Sequence, residues 1–68
     1  MNTIKTPSGK FFTLLLPDGT TVKLNAQSTF RFPSKFSSKN REVYLKGEAY
    51  FDVYHDPSHP FIVKTDYF

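Results

Sequence analysis

The 68-residue chain contains no cysteine. That excludes thiol catalysis, disulfide reinforcement and cysteine-ligated zinc or iron–sulfur centres. It assigns no compartment. Glycine is scarce: Gly9, Gly19 and Gly47 are too dispersed for a loop that cradles phosphate. No G-x-S-x-G, H-E-x-x-H or Walker pattern occurs. Apolar runs are short, and a block such as Leu14-Leu15-Leu16 is far from spanning a bilayer. Met1-Asn2-Thr3-Ile4-Lys5 lacks the charged segment and apolar stretch of a signal peptide. An exported or anchored parent protein would carry that information upstream. Runs of like charge are also missing. Nine Lys and Arg are scattered against six Asp and Glu, a net charge of +3. This pattern suits a solvated surface better than a polyanion footprint.

A chain of this length makes one small domain, residues 1–68. Domains of this size bury only about 60% of the unfolded surface, so the core has little to spare. Aromatic residues make up 18% of the chain, with eight Phe and four Tyr. That exceeds what so small a core needs, so some rings should cover a partner or face solvent.

The apolar spacing is β throughout, and no segment repeats at helical period. A first strand is expected over residues 10–16. Pro17-Asp18-Gly19-Thr20 then forms a turn: Pro presets φ, Asp bonds its own backbone, and Gly accepts positive φ. A strand over residues 21–25 completes an antiparallel hairpin. Asn25-Ala26-Gln27-Ser28 reads as a turn, and Thr29-Phe30-Arg31-Phe32 as a short strand stopped by Pro33. Residues 34–40 form a polar loop pinned by Phe36.

The strongest periodicity follows. Val43, Leu45, Gly47, Ala49, Phe51 and Val53 alternate with Glu42, Tyr44, Lys46, Glu48, Tyr50, Asp52 and Tyr54. Period two over this length marks strand structure, and Gly47 marks a bend or bulge. The segment is either one long bent strand or two strands in line that change sheets. Pro57 and Pro60 hold residues 55–60 in a loop. A final strand is expected over residues 61–65. The expected core is Phe12, Leu14, Leu16, Val22, Leu24, Val43, Leu45, Ala49, Phe51, Val53, Phe61 and Val63.

Candidate chemistry is thin. His55 and His59 could join Asp52 or Asp56 in a loop metal site, but solvated loop histidines are the simpler reading. Glu42, Glu48, Asp52, Asp56 and Asp66 are the candidate acids. Glu48 and Asp52 share a strand face about 13 Å apart, too far for either two-carboxylate geometry of glycoside hydrolysis. Neither enzyme activity nor a cofactor is expected. Phe30-Arg31-Phe32 with nearby lysines would permit single-strand stacking, so a basic β module binding nucleic acid or another polyanion is the alternative function. The aromatic motif of RRM domains is missing, and nucleic acid is not the expected partner.

Leu16-Pro17-Asp18-Gly19-Thr20, Val22, Leu24-Asn25, Pro33 and Phe36 are followed by Arg41-Glu42-Val43, Gly47-Glu48-Ala49-Tyr50-Phe51 and Pro60-Phe61-Ile62-Val63. In this order and spacing they resemble the periplasmic domain of FecR-family regulators of extracytoplasmic-function sigma factors, in the Bacteroidetes form. The resemblance covers residues 6–65 and implies an all-β, small antiparallel sandwich of jelly-roll type, with a solenoid-like β stack as the alternative. It implies a non-enzymatic signalling module in the periplasm, part of an inner-membrane-anchored protein. One partner would be the signalling domain of a TonB-dependent transporter. The other would be a sigma factor, reached through a cytoplasmic region absent from this chain. Pro17, Asp18, Gly19, Gly47, Glu48, Ala49, Phe51, Pro60 and Phe61 would be structural motif residues. From the residues themselves, the polar face with Tyr44, Tyr50 and Tyr54 is the candidate interface, the alternative being that this face packs under a further part of the domain. Family members continue past the last strand, so the chain resembles an incomplete domain or a truncated product. Self-association through exposed strand edges is expected.

Overall fold

The computed structural model describes residues 1–65; the candidate acid Asp66 lies outside them. Seven strands are present among the described residues: β1 Asn2–Lys5, β2 Phe12–Leu15, β3 Thr21–Leu24, β4 Thr29–Phe32, β5 Arg41–Lys46, β6 Ala49–Asp52 and β7 Phe61–Lys64. They form a four-stranded sheet in the order β1-β4-β5-β7 and a three-stranded sheet in the order β2-β3-β6. All pairs are antiparallel except β5 and β7. The core joins both sheets: Leu16, Val22 and Leu24 from one meet Phe30, Val43 and Leu45 from the other. The molecule is therefore a small β-sandwich, as the resemblance implies, and its all-strand content is what the alternation and the turns predict.

The hairpin closes as its turn chemistry requires. The Gly19 amide donates to the Leu16 carbonyl at 3.0 Å, and the Leu16 amide to the Thr20 carbonyl at 2.8 Å. Gly19 takes φ +94°, which ends the three-residue loop without a side-chain clash.

Of the two forms open for residues 42–54, the structure adopts the second. β5 lies in the four-stranded sheet and β6 in the three-stranded one, with Gly47 between them at φ +110°. A Cβ on Gly47 would stand 2.6 Å from Ser28 Oγ and 2.9 Å from Ser28 Cα. Both the dihedral and the close approach demand glycine here. The chain then returns through residues 53–60 to β7, which pairs parallel to β5. The path β5–β6–β7 thus makes one circuit from sheet to sheet and back, a local feature of the solenoid-like alternative.

Three expected core residues are corrected. Phe12 is 46% exposed, Val53 41% and Val63 39%. Alternation assigns a residue to a face but does not say how far the opposite sheet reaches. Phe12 lies at the open end of an edge strand, Val53 past the end of β6, and Val63 on the outermost strand of its sheet. Phe30 is instead wholly buried, stacks on Phe32 at a centroid distance of 5.6 Å and meets Phe51 in a tilted arrangement at 5.9 Å. Strand β1 was not expected. Its single apolar anchor, half-buried Ile4, lies opposite Phe30.

Candidate functional site

Two polar nodes fix the connections of the sandwich. The first centres on Arg41, the first residue of β5. Its side chain is on the inward-facing row with Val43 and Leu45 and is only 6% exposed. Nε donates to the His59 carbonyl at 2.8 Å. Nη1 donates to Asp18 Oδ2 and to the Tyr54 carbonyl, both at 2.8 Å, and Nη2 to the Asp56 carbonyl at 3.2 Å. The guanidinium carbon also lies 5.4 Å from the centroid of the Phe61 ring. One planar cation thereby gathers the hairpin turn and the loop over residues 53–60.

Asp18 completes the node. Its Oδ1 accepts the Thr20 amide at 2.9 Å and its Oδ2 the Thr20 hydroxyl at 2.7 Å. Thr20 Oγ1 in turn accepts the Tyr54 amide at 3.1 Å. Burial pushes the Asp18 carboxyl up, but the hydrogen bonds from Arg41 and Thr20 outweigh it and hold it below its ordinary value. The motif residue Asp18 is thus both a turn former and the counterion of a buried arginine.

The second node lies at the sheet switch. Ser28 Oγ accepts the Glu48 amide at 3.1 Å and donates to the Glu48 carbonyl at 3.0 Å. Thr6 Oγ1 accepts the Ser28 amide at 2.8 Å and donates to the Asn25 carbonyl at 2.6 Å. The Asn25 amide reaches the Glu48 carbonyl at 3.0 Å. Two buried hydroxyls thereby satisfy backbone groups where the ladder changes sheets. Glu48 contributes its backbone to this node, while its residue as a whole is exposed.

The histidines belong to the loop. His59 Nδ1 lies 2.8 Å from Asp56 Oδ2 and 3.0 Å from Ser58 Oγ, which donates to Asp56 Oδ1 at 2.7 Å. Bonds from Ser58 and then His59 hold the Asp56 carboxyl below its ordinary value. Asp and Ser address the same ring nitrogen, so the trio lacks the relay geometry of a hydrolytic triad. Among the described residues, no group of three or more His, Asp or Glu side chains converges as a metal centre.

The three candidate interface tyrosines are not brought together. Tyr44 lies on the outer face of the four-stranded sheet, beside Arg31 and Lys64 in register. Its hydroxyl donates to Glu42 Oε1 at 3.2 Å, and Glu42 also pairs with Lys64 Nζ at 2.7 Å. Tyr50 is on the outer face of the other sheet, in a row with Thr13 and Lys23. It borders a shallow depression of about 460 Å³ with Phe11 on the opposite rim. Tyr54 packs over the hairpin turn near Gly19 and borders a separate depression with Val53 and His55. Tyr50 and Tyr54 are 66% and 59% exposed.

The FecR protein family model matches residues 2–68. The chain belongs to the FecR family. Two crystal structures of a "putative anti-sigma factor" from Parabacteroides distasonis ATCC 8503 share this FecR fold. One is 42% identical with a TM-score of 0.95, covering 97% of this chain and 31% of its own. The other is 43% identical with a TM-score of 0.93, covering 96% and 30% respectively. The FecR chain therefore spans about a third of the length of those structures. No curated protein sequence matches it at a significant level.

Within the FecR fold, the motif residues have concrete places. Pro17, Asp18 and Gly19 build the hairpin loop, and Gly47 and Glu48 the sheet switch. Ala49, Phe51 and Phe61 pack against the core from its margin. The Pro60 carbonyl accepts the Arg41 amide at 2.7 Å, starting the β5–β7 pairing. Sequence reasoning placed Arg41 in the motif but gave it no role. The signal was present: the inward parity of Val43 and Leu45, carried back two residues, puts a charge on the apolar face.

Proposed function

We propose that this FecR chain is a non-enzymatic, periplasmic signalling module of a sigma-factor regulator. It relays the loading state of a TonB-dependent outer-membrane transporter to an extracytoplasmic-function sigma factor. The observation that carries this reading is the match of nearly the whole chain, at 42% identity, to a structure described as a "putative anti-sigma factor". The fold fits a docking role. Its polar nodes are spent on rigidity, while Tyr50 and Tyr54 remain exposed on separate surfaces.

Tyr50 is the expected anchor. It combines a large apolar area with a polar tip, beside Lys23 and an open depression. The test uses the complete regulator and the purified signalling domain of the proposed TonB-dependent transporter. Tyr50→Ala should weaken their binding by about tenfold or more, as truncating an aromatic hot spot does, with Tyr44→Ala and Tyr54→Ala smaller in effect. A sigma-dependent reporter should lose its response in parallel. Failure of the unaltered regulator to bind the signalling domain, with steep salt-sensitive binding to polyanions instead, would overturn the reading.

A further inference from the structure

The four edge strands of the sandwich are not equivalent. β1 carries Lys5, β6 carries Asp52 and β7 carries Lys64. Charges of this kind discourage edge-to-edge pairing. β2, Phe12-Thr13-Leu14-Leu15, carries none, and its flanks Phe11 and Leu16 are also uncharged. Phe11 is 78% exposed, Leu15 70% and Phe12 46%. Among the described residues, β2 pairs only with β3, leaving its other side open.

The backbone phase defines what this edge offers. Leu16 exchanges hydrogen bonds with the turn side of the hairpin through its amide to Thr20 and its carbonyl to Gly19. By the alternation of an antiparallel ladder, Leu14 and Phe12 also address β3. Phe11, Thr13 and Leu15 therefore direct their amides and carbonyls to the open side. The register also sorts the side chains. Leu14 lies opposite core residue Val22, whereas Thr13 lies opposite Lys23 in the outward row. Phe11 and Leu15 share the outward parity of Thr13.

We propose that β2 is a homotypic pairing edge that joins two copies of this chain antiparallel about a twofold axis through Thr13. In that register Thr13 opposes its own copy, and Phe11 opposes Leu15 of the second copy in both directions. All three outward-addressing residues enter hydrogen-bonded pairs, and the faces match. The two three-stranded sheets become one continuous six-stranded sheet. The most exposed apolar side chains of the strand and its flank, Leu15 and Phe11, cover each other on its outer surface. An isologous contact needs such self-complementarity. Lys10 falls at the end of the paired stretch, opposite the uncharged Leu16 of the second copy, and Lys23 lies one strand inside each copy. The two Lys23 side chains would stand roughly 14 Å apart, beyond the screening length of about 8 Å at physiological salt.

The test is the association state of the 68-residue chain by sedimentation velocity across a wide concentration range. The unaltered chain should pass from monomer to dimer. Thr13→Lys sets like charges directly opposite each other and should raise the dimer dissociation constant by about tenfold or more. Its circular dichroism should be unchanged, because Thr13 does not bond to β3. Since the chain has no cysteine, single substitutions give a second readout. Opposed hydrogen-bonded residues have Cα atoms about 5.5 Å apart, within disulfide reach. Thr13→Cys should therefore cross-link to itself under mild oxidation, whereas Tyr50→Cys on β6 and Thr3→Cys on β1 should not. A monomer at every concentration, a dimer unaffected by Thr13→Lys, or cross-linking through position 50 or 3 instead of 13 would each overturn the proposal.

Discussion

Arg41 makes four hydrogen bonds through one guanidinium, to Asp18, Tyr54, Asp56 and His59. Three of the acceptors are backbone carbonyls of a loop that has no ladder of its own. Lysine keeps the charge but lacks the planar fork, so it cannot reach these acceptors together. Arg41→Lys should lower unfolding free energy by about 2 kcal/mol, reflecting lost charge-assisted bonds and orphaned buried acceptors. Arg41→Ala also leaves Asp18 without its counterion, a loss of about 3–5 kcal/mol for a buried pair. A domain of this size has roughly 3–10 kcal/mol in total, so Arg41→Ala should be largely unfolded at room temperature. Urea titration followed by circular dichroism measures both, and equal stability of the two variants would refute this account of the fork. The network was hard to read from sequence because its partners lie 13 to 23 positions away. The turn Pro17-Asp18-Gly19 was legible because its chemistry is local. The second role of Asp18 became visible only once folding placed it beside β5.

At the scale of elements, the decisive feature is the change of sheet between β5 and β6. Alternation stays in phase across Gly47, so the sequence left one bent strand and two strands equally open. The choice depends on what Gly47 approaches, and Ser28 lies nearly twenty residues upstream. Two substitutions separate backbone from side chain at this point. Gly47→Ala meets both the positive φ and the contact with Ser28, whereas Gly19→Ala meets the positive φ alone, its nearest neighbour being Tyr54 Cδ1 at 3.5 Å. Left-handed strain on a non-glycine residue costs about 1–2 kcal/mol, which is the expected effect at Gly19. At Gly47 the loss should reach about 3 kcal/mol or more, because the neighbouring backbone must move as well. Chemical denaturation of both variants gives the comparison, and a milder effect at Gly47 than at Gly19 would count against the close approach. The same limits explain the core. Leu16, Val22, Leu24, Val43 and Leu45 were legible because both faces of their strands are distinct. Phe12, Val53 and Val63 were misplaced because parity carries no information about where the covering sheet stops. The tyrosines were grouped by parity along a single segment, and the sheet switch divided them.

At the scale of the whole molecule, the carboxylates couple stability to pH. Asp18, Glu42 and Asp56 are all held below their ordinary values in the folded chain. For Asp18 burial opposes the shift, and bonds from Arg41 and Thr20 prevail; for Glu42 the bond from Lys64 is the main cause, and for Asp56 the bond from Ser58. A depressed folded value means that the unfolded chain binds protons first as pH falls. The stabilisation is complete above the unfolded values, near 3.8 for Asp and 4.5 for Glu, and is lost as pH falls through the lower folded values. Unfolding free energy should therefore decline below about pH 4.5, with protonation of Asp18 the most damaging step because it strips the buried Arg41 of its counterion. Glu42 and Asp56 are solvent-screened partners and should contribute little. Asp18→Asn imitates that protonation at neutral pH. It should destabilise the chain at pH 7 and flatten the acid limb, whereas Glu42→Gln should leave both nearly unchanged. Urea unfolding curves for the three proteins between pH 7 and pH 2.5 decide this. An Asp18→Asn profile parallel to that of the unaltered chain would place the acid sensitivity elsewhere and remove the Asp18–Arg41 pair from the centre of this fold's stability.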